Sequence, residues 1–356
     1  MKRRLLAILC MLAAAACPAL ANETLFAASS APVRTLVVDS TTDIGVIRPV
    51  IEAFQAQNPG VEVRYNELET IGLHARTAAA CAKGEWSSDL VISSAMDLQV
   101  KLVNDGCATA LDSPPLRLLP AYAQWRGELF GLTFEPAVIV YNRRLIAPTE
   151  VPTDHFALLD LLRQPDRFAG RIGTYDIETS GLGYLYATLD SQQSSTWGRL
   201  IEAFGRNRVQ LFCCTSDILE RVADGRLTFG YNVLGSYAFA QAAANPDLAI
   251  VLPSDYTLVL TRAAYVPKTA RNATDAIALM AFTQSDAGRA ILNGSARLFS
   301  AIDGATALFR QAGISEEARS SLRPIALSPA LLAGLDSMKR SLFLAQWRES
   351  LAVKQD

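Results

Sequence analysis

The chain has 356 residues, of which 50% are hydrophobic and 19% charged, so it can build one large core or two medium-sized cores and is not a disordered chain. Its 33 lysines and arginines nearly balance its 35 aspartates and glutamates, for a formal net charge of -2. This balance leaves no overall basic field, which argues against nucleic acid or an anionic membrane surface as the main partner.

The N-terminal segment 1–21 has the layout of a secretory signal peptide. Three basic residues precede an apolar run (5–16), and Ala19-Leu20-Ala21 offers small residues for cleavage after Ala21. The run is shorter than the roughly 20 residues that span a bilayer, which disfavours a retained anchor. Cys17 raises a lipoprotein alternative, although the usual leucine three residues earlier is missing. We expect a soluble mature protein in the periplasm.

Strands and helices alternate along the first third of the mature chain. Short apolar runs indicate buried strands, and apolar residues at helical spacing indicate the segments between them. The predicted strands are TLVVDS (35–40), VEVRY (61–65) and DLVIS (89–93), and the predicted helices run from Asp43 to Asn58, from Ile71 to Ala82 and from Ala95 to Gly106. This alternation predicts a mainly parallel, doubly wound sheet.

A second α/β series follows a change of pattern. A short hairpin is predicted around Arg126-Gly127-Glu128, followed by a long apolar strand that ends at Asn142. The later predicted elements are strands at 170–177, 209–214, 227–232, 248–253 and 256–266, helices from Leu182, Thr196 and Ile218, and a helical C-terminal third. Two α/β lobes joined through strands are the economical interpretation.

Five segments, taken in order, carry a resemblance to a known family. They are VVDSTTDIGVIRPVIEAFQAQNPGVEVRY, DLVISSAMDLQVKLVNDG, GELFGLTFEPAVIVYN, TSGLGYLYATL and LERVADGRLTFGYNVLGSYAF. Together they resemble a type 2 periplasmic solute-binding protein, an ABC transporter component, in the branch that contains the ferric-ion-binding and phosphoglycerate transport regulatory proteins. The resemblance extends from about Thr35 to Asn293.

The resemblance implies a two-lobe Venus-flytrap fold, in which each lobe is a doubly wound sheet flanked by helices. Lobe 1 would contain 22–137 and 262–356, and lobe 2 would contain 138–261. The strands near Val138 and Leu260 would act as the hinge. The lobes would close on a ligand held in the cleft between them.

Hydroxyl side chains recur where a predicted strand meets a helix. In open α/β sheets, ligands bind beyond the carboxyl ends of strands, against helix N-termini that favour an anion. The resemblance would bring four such sites, two from each lobe, to one cleft as an anion cradle. Capping of the helices is the alternative for each hydroxyl. The expected ligand-binding residues are Ser40, Thr41, Thr42, Ser93, Ser94, Thr179, Ser180, Gly181, Thr215 and Ser216.

Four further residues are candidates for the cleft. Glu135, before the crossover strand, is either a hydrogen-bond acceptor in the cleft or a surface charge at the hinge. Tyr231 and Asn232 end a predicted strand and Tyr237 lies in the next helix. Their side chains belong either to the ligand site or to the core and surface of a lobe.

The sequence departs from the iron-binding relatives at the positions that would hold the metal. Those relatives bind ferric ion through two adjacent tyrosines and a carboxylate. Here Tyr231 and Tyr237 are separated, and Ser93-Ser94 stands where the carboxylate would be. The hard oxygen ligands of a trivalent metal are therefore incomplete, and we expect no metal or other cofactor.

Export places four cysteines in an oxidising compartment. Cys81 and Cys107 lie on either side of the strand at 89–92, so either a disulfide or two free thiols is expected there. Cys213 and Cys214 are adjacent, and a disulfide between neighbours is strained. They are expected to be buried free thiols, with capture of a soft metal as the alternative.

No enzyme motif is present. The two histidines, His74 and His155, lie in separate predicted helices, and the sequence contains no GxSxG, HExxH or CxxC motif that would supply an activated nucleophile or metal-bound water. We therefore expect a monomeric binding protein that captures a small organic or phosphorylated anion and delivers it to a membrane ABC permease. The alternatives are a ligand sensor that docks on the periplasmic domain of a two-component sensor kinase, and a ferric-iron-binding protein.

Overall fold

The computed structural model describes residues 22–31, 33–312 and 316–352. The predicted signal peptide, 1–21, lies outside the described residues. Within the described part of the chain, no helix combines the length and the apolar character needed to cross a bilayer.

Strands and helices alternate in the order that the sequence predicts. The strands of the described residues are β1 (Asn22–Phe26), β2 (Arg34–Ser40), β3 (Val61–Glu67), β4 (Leu90–Ser93), β5 (Gln124–Trp125), β6 (Leu129–Gly131), β7 (Glu135–Asn142), β8 (Ile172–Tyr175), β9 (Gln210–Phe212), β10 (Phe229–Leu234), β11 (Leu248–Val251), β12 (Thr257–Leu260), β13 (Ala263–Tyr265) and β14 (Leu322–Pro324).

The helices pack on the faces of these strands. The α-helices of the described residues are α1 (Ile44–Gln57), α2 (Thr70–Lys83), α3 (Met96–Asn104), α4 (His155–Leu161), α5 (Pro165–Phe168), α6 (Gly181–Gln193), α7 (Trp197–Arg206), α8 (Thr215–Ala223), α9 (Gly235–Ala244), α10 (Ala273–Gln284), α11 (Asp286–Asn293), α12 (Gly304–Ala312) and α13 (Ser337–Leu351). Short 3₁₀ segments lie at Pro114–Leu118, Ala121–Ala123, Pro148–Glu150, Glu316–Ser321 and Pro329–Leu335.

Apolar spacing explains where the first helix forms. Ile47, Val50, Ile51 and Phe54 recur every three or four residues and are all buried, so one face of α1 packs on the sheet. The helix ends two residues before Pro59, because the residue before a proline is kept out of the helical region.

The first sheet has the strand order β1-β3-β2-β4-β13-β6-β5. In it, β2 runs parallel to both β3 and β4, and the helices α1 and α2 connect these strands. The carboxyl ends of the three parallel strands therefore lie at one edge of the sheet.

The second sheet has the order β14-β12-β7-β10-β8-β9, and β11 also pairs with β7. Here β8 runs parallel to β9 and to β10, while β7 is antiparallel to β10. Each sheet is thus a doubly wound unit with helices around it. The two-lobe α/β fold predicted from the sequence is confirmed.

Two short segments of the described chain cross between the sheets, at 132–134 and at 261–262, and the chain crosses a third time between β13 and β14. The sequence predicts one strand over 256–266. The structure instead breaks this segment, because β12 pairs with β7 of the second sheet whereas β13 pairs with β4 of the first. Gly131 allows the two crossing segments to approach closely, since a Cβ there would collide with the side chain of Thr261.

The C-terminal tail joins the second sheet. β14 pairs in parallel with β12, and α13 packs against α7 with the rings of Trp347 and Trp197 stacked at a centroid distance of 6.2 Å. β12 pairs with β7 on one side, and its other side offers unpaired backbone groups with which β14 pairs. β14 and α13, which the sequence analysis expects in lobe 1, therefore pack on elements of the second lobe, whereas Pro329–Leu335 contacts α3 of the first. The lobe ranges 22–137 plus 262–356 and 138–261 stay predictions.

A disulfide joins the end of α2 to the residue that follows α3. It links Cys81 to Cys107, whose Cα atoms are 5.6 Å apart, and it closes a segment of 26 residues. A bond of this kind stabilises mainly by restricting the unfolded chain. It fixes two helices that both begin at the same edge of the first sheet.

Removal of this disulfide should lower the free energy of unfolding. For a closed segment of this length, Cys81→Ala/Cys107→Ala should cost about 3 kcal/mol in urea unfolding. Cys213→Ala/Cys214→Ala is the matched control, because a bond between adjacent residues closes almost no loop. Equal losses in the two double variants, or free alkylated thiols at Cys81 and Cys107 in peptide mass mapping, would contradict this account.

Candidate functional site

A cavity of about 70 Å³ lies between the two lobes. It has room for several water molecules and so for a small solute group. Lobe 1 contributes Thr41, Asp43, Glu67, Leu68, Glu69, Thr70 and Ser94, and lobe 2 contributes Tyr175, Ser180, Leu182, Cys213, Cys214, Thr215, Ser216, Leu234 and Tyr237.

Six helices begin at this cavity, three from each lobe. For each of these helices, a residue that lines the cavity is either the first residue of the helix or one of the two residues before it. The helices are α1, α2 and α3 of lobe 1 and α6, α8 and α9 of lobe 2. Each N-terminus carries about half a positive charge and free N–H groups, so together they contribute the equivalent of about three positive charges.

Three carboxylates line the lobe 1 side of the cavity. Glu67 accepts a hydrogen bond from the Ile44 amide through Oε2 at 2.7 Å, which places it at the N-terminus of α1. Glu69 directly precedes α2. Asp43 precedes α1. Among the described residues that line the cavity, no lysine or arginine occurs. The three carboxylates therefore offset the helix N-termini approximately.

The surroundings of Glu69 raise the pKa of its carboxyl group. Partial burial raises the pKa of this carboxyl, and the neighbouring carboxylates of Asp43, Glu67 and Asp217 raise it further. A ligand that donates hydrogen bonds or carries positive charge would relieve this repulsion. The lobe 1 wall thus suits a donor group.

Hydroxyl groups from both lobes face the same cavity. Thr41 accepts a hydrogen bond from the Ser94 amide at 3.0 Å, and their hydroxyl oxygens are 3.4 Å apart. On lobe 2, Ser180 accepts a bond from the Gly183 amide at 3.2 Å, while Thr215 and Ser216 open α8. These five hydroxyls are cavity residues that the sequence predicts.

Direct contacts hold the lobes together at the cavity. The Tyr237 hydroxyl donates to Asp43 Oδ1 at 3.0 Å and accepts from the Asp43 amide at 3.1 Å. Thr70 Oγ1 accepts a hydrogen bond from the Gly181 amide at 2.9 Å. Asp43 and Thr70 belong to lobe 1 and Tyr237 and Gly181 to lobe 2, so these hydrogen bonds join the two lobes across the cavity.

Four of the predicted hydroxyls do not line the cavity. Ser40 accepts from the Thr42 amide at 3.1 Å, and Ser93 accepts from the Ala95 amide at 3.2 Å, so both finish local turns. Thr42 accepts from a buried arginine, and Thr179 is exposed outside the lining. The cradle expected from the sequence is smaller than predicted.

Tyr231 and Asn232 belong to the interior of lobe 2. The Tyr231 hydroxyl donates to Asp190 Oδ2 at 2.9 Å, and the Asn232 amide donates to the same oxygen. Tyr256 completes this buried group by donating to Asp190 Oδ1 at 3.1 Å. The ligand role considered for Tyr231 and Asn232 is therefore not supported, because Asp190 takes up their polar groups.

Glu135 is neither an accessible acceptor in the cleft nor a surface charge. It is fully buried, with Oε1 2.8 Å from Nε of Arg262 and Oε2 3.2 Å from Nη2. Thr133 and Ser236 also donate to it. The guanidinium of Arg262 donates to Thr42 and lies over the ring of Tyr237. The ion pair joins the two crossing segments below the cavity.

Cys213 and Cys214 differ from expectation. The sequence analysis expects buried thiols, but Cys213 is exposed and Cys214 is half-buried at the cavity, because β9 ends at the sheet edge. Their sulfur atoms are bonded to each other. Asp43, Glu67, Glu69 and both cysteines are thus lining residues that the sequence analysis does not assign to the site.

A cavity between two α/β lobes that both contribute helix N-termini defines a two-lobe binding protein. The sequence profile described as bacterial extracellular solute-binding protein matches residues 36–295. The chain belongs to this family. It is a family of binding proteins that act outside the cytoplasm, and those that serve ABC transporters deliver the ligand to a membrane permease.

Solved structures agree with this assignment. The substrate-binding protein of an ABC transporter from Agrobacterium tumefaciens is 38% identical, with a TM-score of 0.87 over 94% of this chain and 100% of that chain. AfuA from Actinobacillus pleuropneumoniae, with fructose-6-phosphate bound, is 16% identical, with a TM-score of 0.71 over 90% and 99%. Iron-bound HitA from Pseudomonas aeruginosa is 17% identical, with a TM-score of 0.63 over 90% and 99%. No curated protein matches the chain.

Proposed function

We propose that this protein captures a small organic anion that also carries hydroxyl groups, such as a phosphate ester of a polyol, and delivers it to an ABC permease. The observation that carries the proposal is the composition of the cavity wall. Helix N-termini and hydroxyls from both lobes stand beside three carboxylates, with no basic side chain among the described lining residues.

The two kinds of wall group select for two kinds of ligand group. The N-termini of α3, α6 and α8, with Ser94, Ser180 and Ser216, offer N–H and O–H donors to an anionic group. The carboxylates of Glu67 and Glu69 accept hydrogen bonds from ligand hydroxyls. A bare anion would offer no donor to the free oxygens of these carboxylates, and a bare cation would use none of the N–H donors at the helix ends.

Ferric ion is the weaker candidate. The hydroxyl of Tyr231, at the position that resembles the iron-binding pair, donates to Asp190 inside lobe 2. AfuA, which shares the fold, has fructose-6-phosphate bound, and this supports the choice of a hydroxylated phosphate as the probe. Transport is preferred to sensing because the family is one of solute-binding proteins and the 38% identical relative is the substrate-binding protein of an ABC transporter.

A thermal-shift panel tests the ligand class. The mature protein, beginning at Asn22, is measured with fructose 6-phosphate, fructose, inorganic phosphate, citrate and ferric citrate, so that an effect of ferric ion is separated from that of citrate, itself a hydroxylated anion. The hydroxylated phosphate should stabilise it most, and a ligand at a hundred times its dissociation constant should add about 2.7 kcal/mol. The proposal would be contradicted if only ferric ion stabilised the protein, or if neither fructose 6-phosphate nor fructose did.

Ser93 and Ser94 are adjacent in the chain, but only Ser94 lines the cavity, so variants at these positions separate a binding role from a structural one. Ser94→Ala/Ser216→Ala removes two lining hydroxyls, one from each lobe, and should weaken binding of the best probe at least about tenfold. Ser93→Ala removes only the hydrogen bond from the Ala95 amide and should cost about 1 kcal/mol of stability with little change in affinity. Unchanged affinity in the double variant would mean that these hydroxyls only finish helices.

A further inference from the structure

The two adjacent cysteines face a carboxylate of the other lobe across the mouth of the cavity. Cys213 and Cys214 lie between β9 and α8 of lobe 2, and Glu69 lies between β3 and α2 of lobe 1. Cys214 Sγ is 3.4 Å from Glu69 Oε1. One ligand atom from each of the three residues lies within 4.8 Å of the others.

These separations suit a metal ion with sulfur and oxygen ligands. Zinc lies about 2.3 Å from a thiolate sulfur and about 2.1 Å from a carboxylate oxygen, so sulfur and oxygen around a tetrahedral ion are roughly 3.6 Å apart. The distance of 3.4 Å between Cys214 and Glu69 is close to that value. In the dithiol form, the sulfur of Cys213 would need only a side-chain rotation to complete the set.

A fourth protein ligand is not required. Asp217 Oδ2 is 3.6 Å from Cys213 Sγ, but Asp217 is already paired through Oδ1 with Nη1 of Arg221 at 3.0 Å. Three protein ligands with one open position is an arrangement that zinc adopts readily. The open position would face the cavity, where water or a solute oxygen could occupy it.

We propose that Cys213, Cys214 and Glu69, with both cysteines reduced, form a binding site for a thiophilic divalent cation of the zinc class. The bound cation would connect the two lobes in the closed form. This site goes beyond the proposed solute-binding function, since it requires no solute. The cation would add to the hydrogen bonds that already join the lobes, so the stability of the closed cleft would respond to the metal and to the redox state of the cysteines.

The site opens only after reduction of the Cys213–Cys214 bond. A dithiol reductant supplies two electrons and two protons, its own two thiols become a disulfide, and the two cysteine sulfurs become thiols. Cation binding then releases the two thiol protons, because the thiolate is the ligand. The disulfide form offers no thiolate, so it should not bind the cation.

The test compares the two redox forms of the mature protein. One sample is left oxidised, and the other is reduced with dithiothreitol and desalted without oxygen. Both are titrated with Cd²⁺, whose thiolate complexes absorb in the ultraviolet, and then with Zn²⁺ in competition. We expect one equivalent bound by the reduced form, with Cys213 and Cys214 protected from alkylation. Equal binding by both forms, or no binding, would overturn the proposal.

Variants identify the ligands. Cys213→Ser and Cys214→Ser should each abolish the absorption. Loss of a residue that only hydrogen-bonds to a metal ligand lowers metal affinity roughly 10- to 100-fold. Glu69 is proposed as a ligand itself, so Glu69→Gln should weaken binding at least about tenfold. Glu85→Gln, an exposed lobe 1 carboxylate outside the cavity, is the control and should leave it unchanged. A Glu69→Gln affinity equal to that of the control would exclude a site that joins the lobes.

Cys81 and Cys107 could also be reduced by dithiothreitol, so peptide mass mapping must accompany each titration. Cadmium retained by Cys213→Ser/Cys214→Ser would assign the metal to Cys81 and Cys107 and overturn the proposal. The titrations contain no solute, and the solute panel uses the oxidised protein. Failure of one proposal is therefore distinguishable from failure of the other.

Discussion

Arg262→Met should lower the free energy of unfolding by about 3 to 5 kcal/mol, because it leaves the Glu135 carboxylate buried without its cation. Arg262 is 1% exposed and Glu135 is fully buried. The pKa of Arg262 is raised: burial, the largest single effect, lowers it, but the charge and hydrogen bond of Glu135, together with the neighbouring Tyr237 and Asp43, outweigh burial. The ion pair also joins both crossing segments, so its loss affects the region that connects the lobes.

Two further variants separate a lost charge partner from lost packing. Glu135→Leu/Arg262→Met removes both charges and should recover much of the stability. The control is Arg163→Met, which breaks an ion pair with Asp160 whose side chains are 67% and 71% exposed and should cost under about 1 kcal/mol. Urea unfolding measures all three. A loss in Arg262→Met no greater than that in Arg163→Met would refute the account.

The alternation of strands and helices was predictable because burial imposes a period on the sequence. The four buried residues of α1 follow a helical spacing, and the apolar run of β2 indicates a strand inside a sheet. The break between β12 and β13 was not predictable in this way. Their apolar run is continuous, and only the pairing of each half with a different sheet divides it.

The site was predictable to the level of the sheet edge, since parallel strands bring their carboxyl ends together. The direction of each side chain was not. Ser93 ends β4 and Ser94 follows it in the turn before α3, where the local backbone decides the direction of each side chain. One therefore caps locally while the other lines the cavity, and the sequence does not say which.

The carboxylates of the cavity had a signal in the sequence. Glu67 ends β3 and Glu69 follows it, so both lie at the same sheet edge as the predicted hydroxyls. An interpretation based on hydroxyls and helix N-termini alone gives acidic residues no role. Their presence changes the expected ligand from any small anion to one that also donates hydrogen bonds.

Asp97→Asn should stabilise the protein at pH 8 by an amount on the order of 4 kcal/mol. Asp97 is 3% exposed in the first turn of α3, and its Oδ1 has no hydrogen-bond partner. Burial raises its pKa from 3.8 to about 7, against the opposing effects of backbone hydrogen bonds and Arg340. A difference of about three pH units corresponds to roughly 4 kcal/mol, at 1.36 kcal/mol per unit.

The sign of this effect fixes its pH range. Between pH 4 and pH 7 the unfolded chain has lost the Asp97 proton while the folded protein keeps it, so wild-type stability should fall as pH rises through this range and then level off. Asp97→Asn cannot ionise and should lack this fall. The control is Asp105→Asn, which changes an exposed residue just after the same helix and should show the same fall in stability as the wild type. Unfolding free energies measured from pH 4 to pH 8 decide the matter, and parallel curves for wild type and Asp97→Asn would show that Asp97 does not carry the dependence.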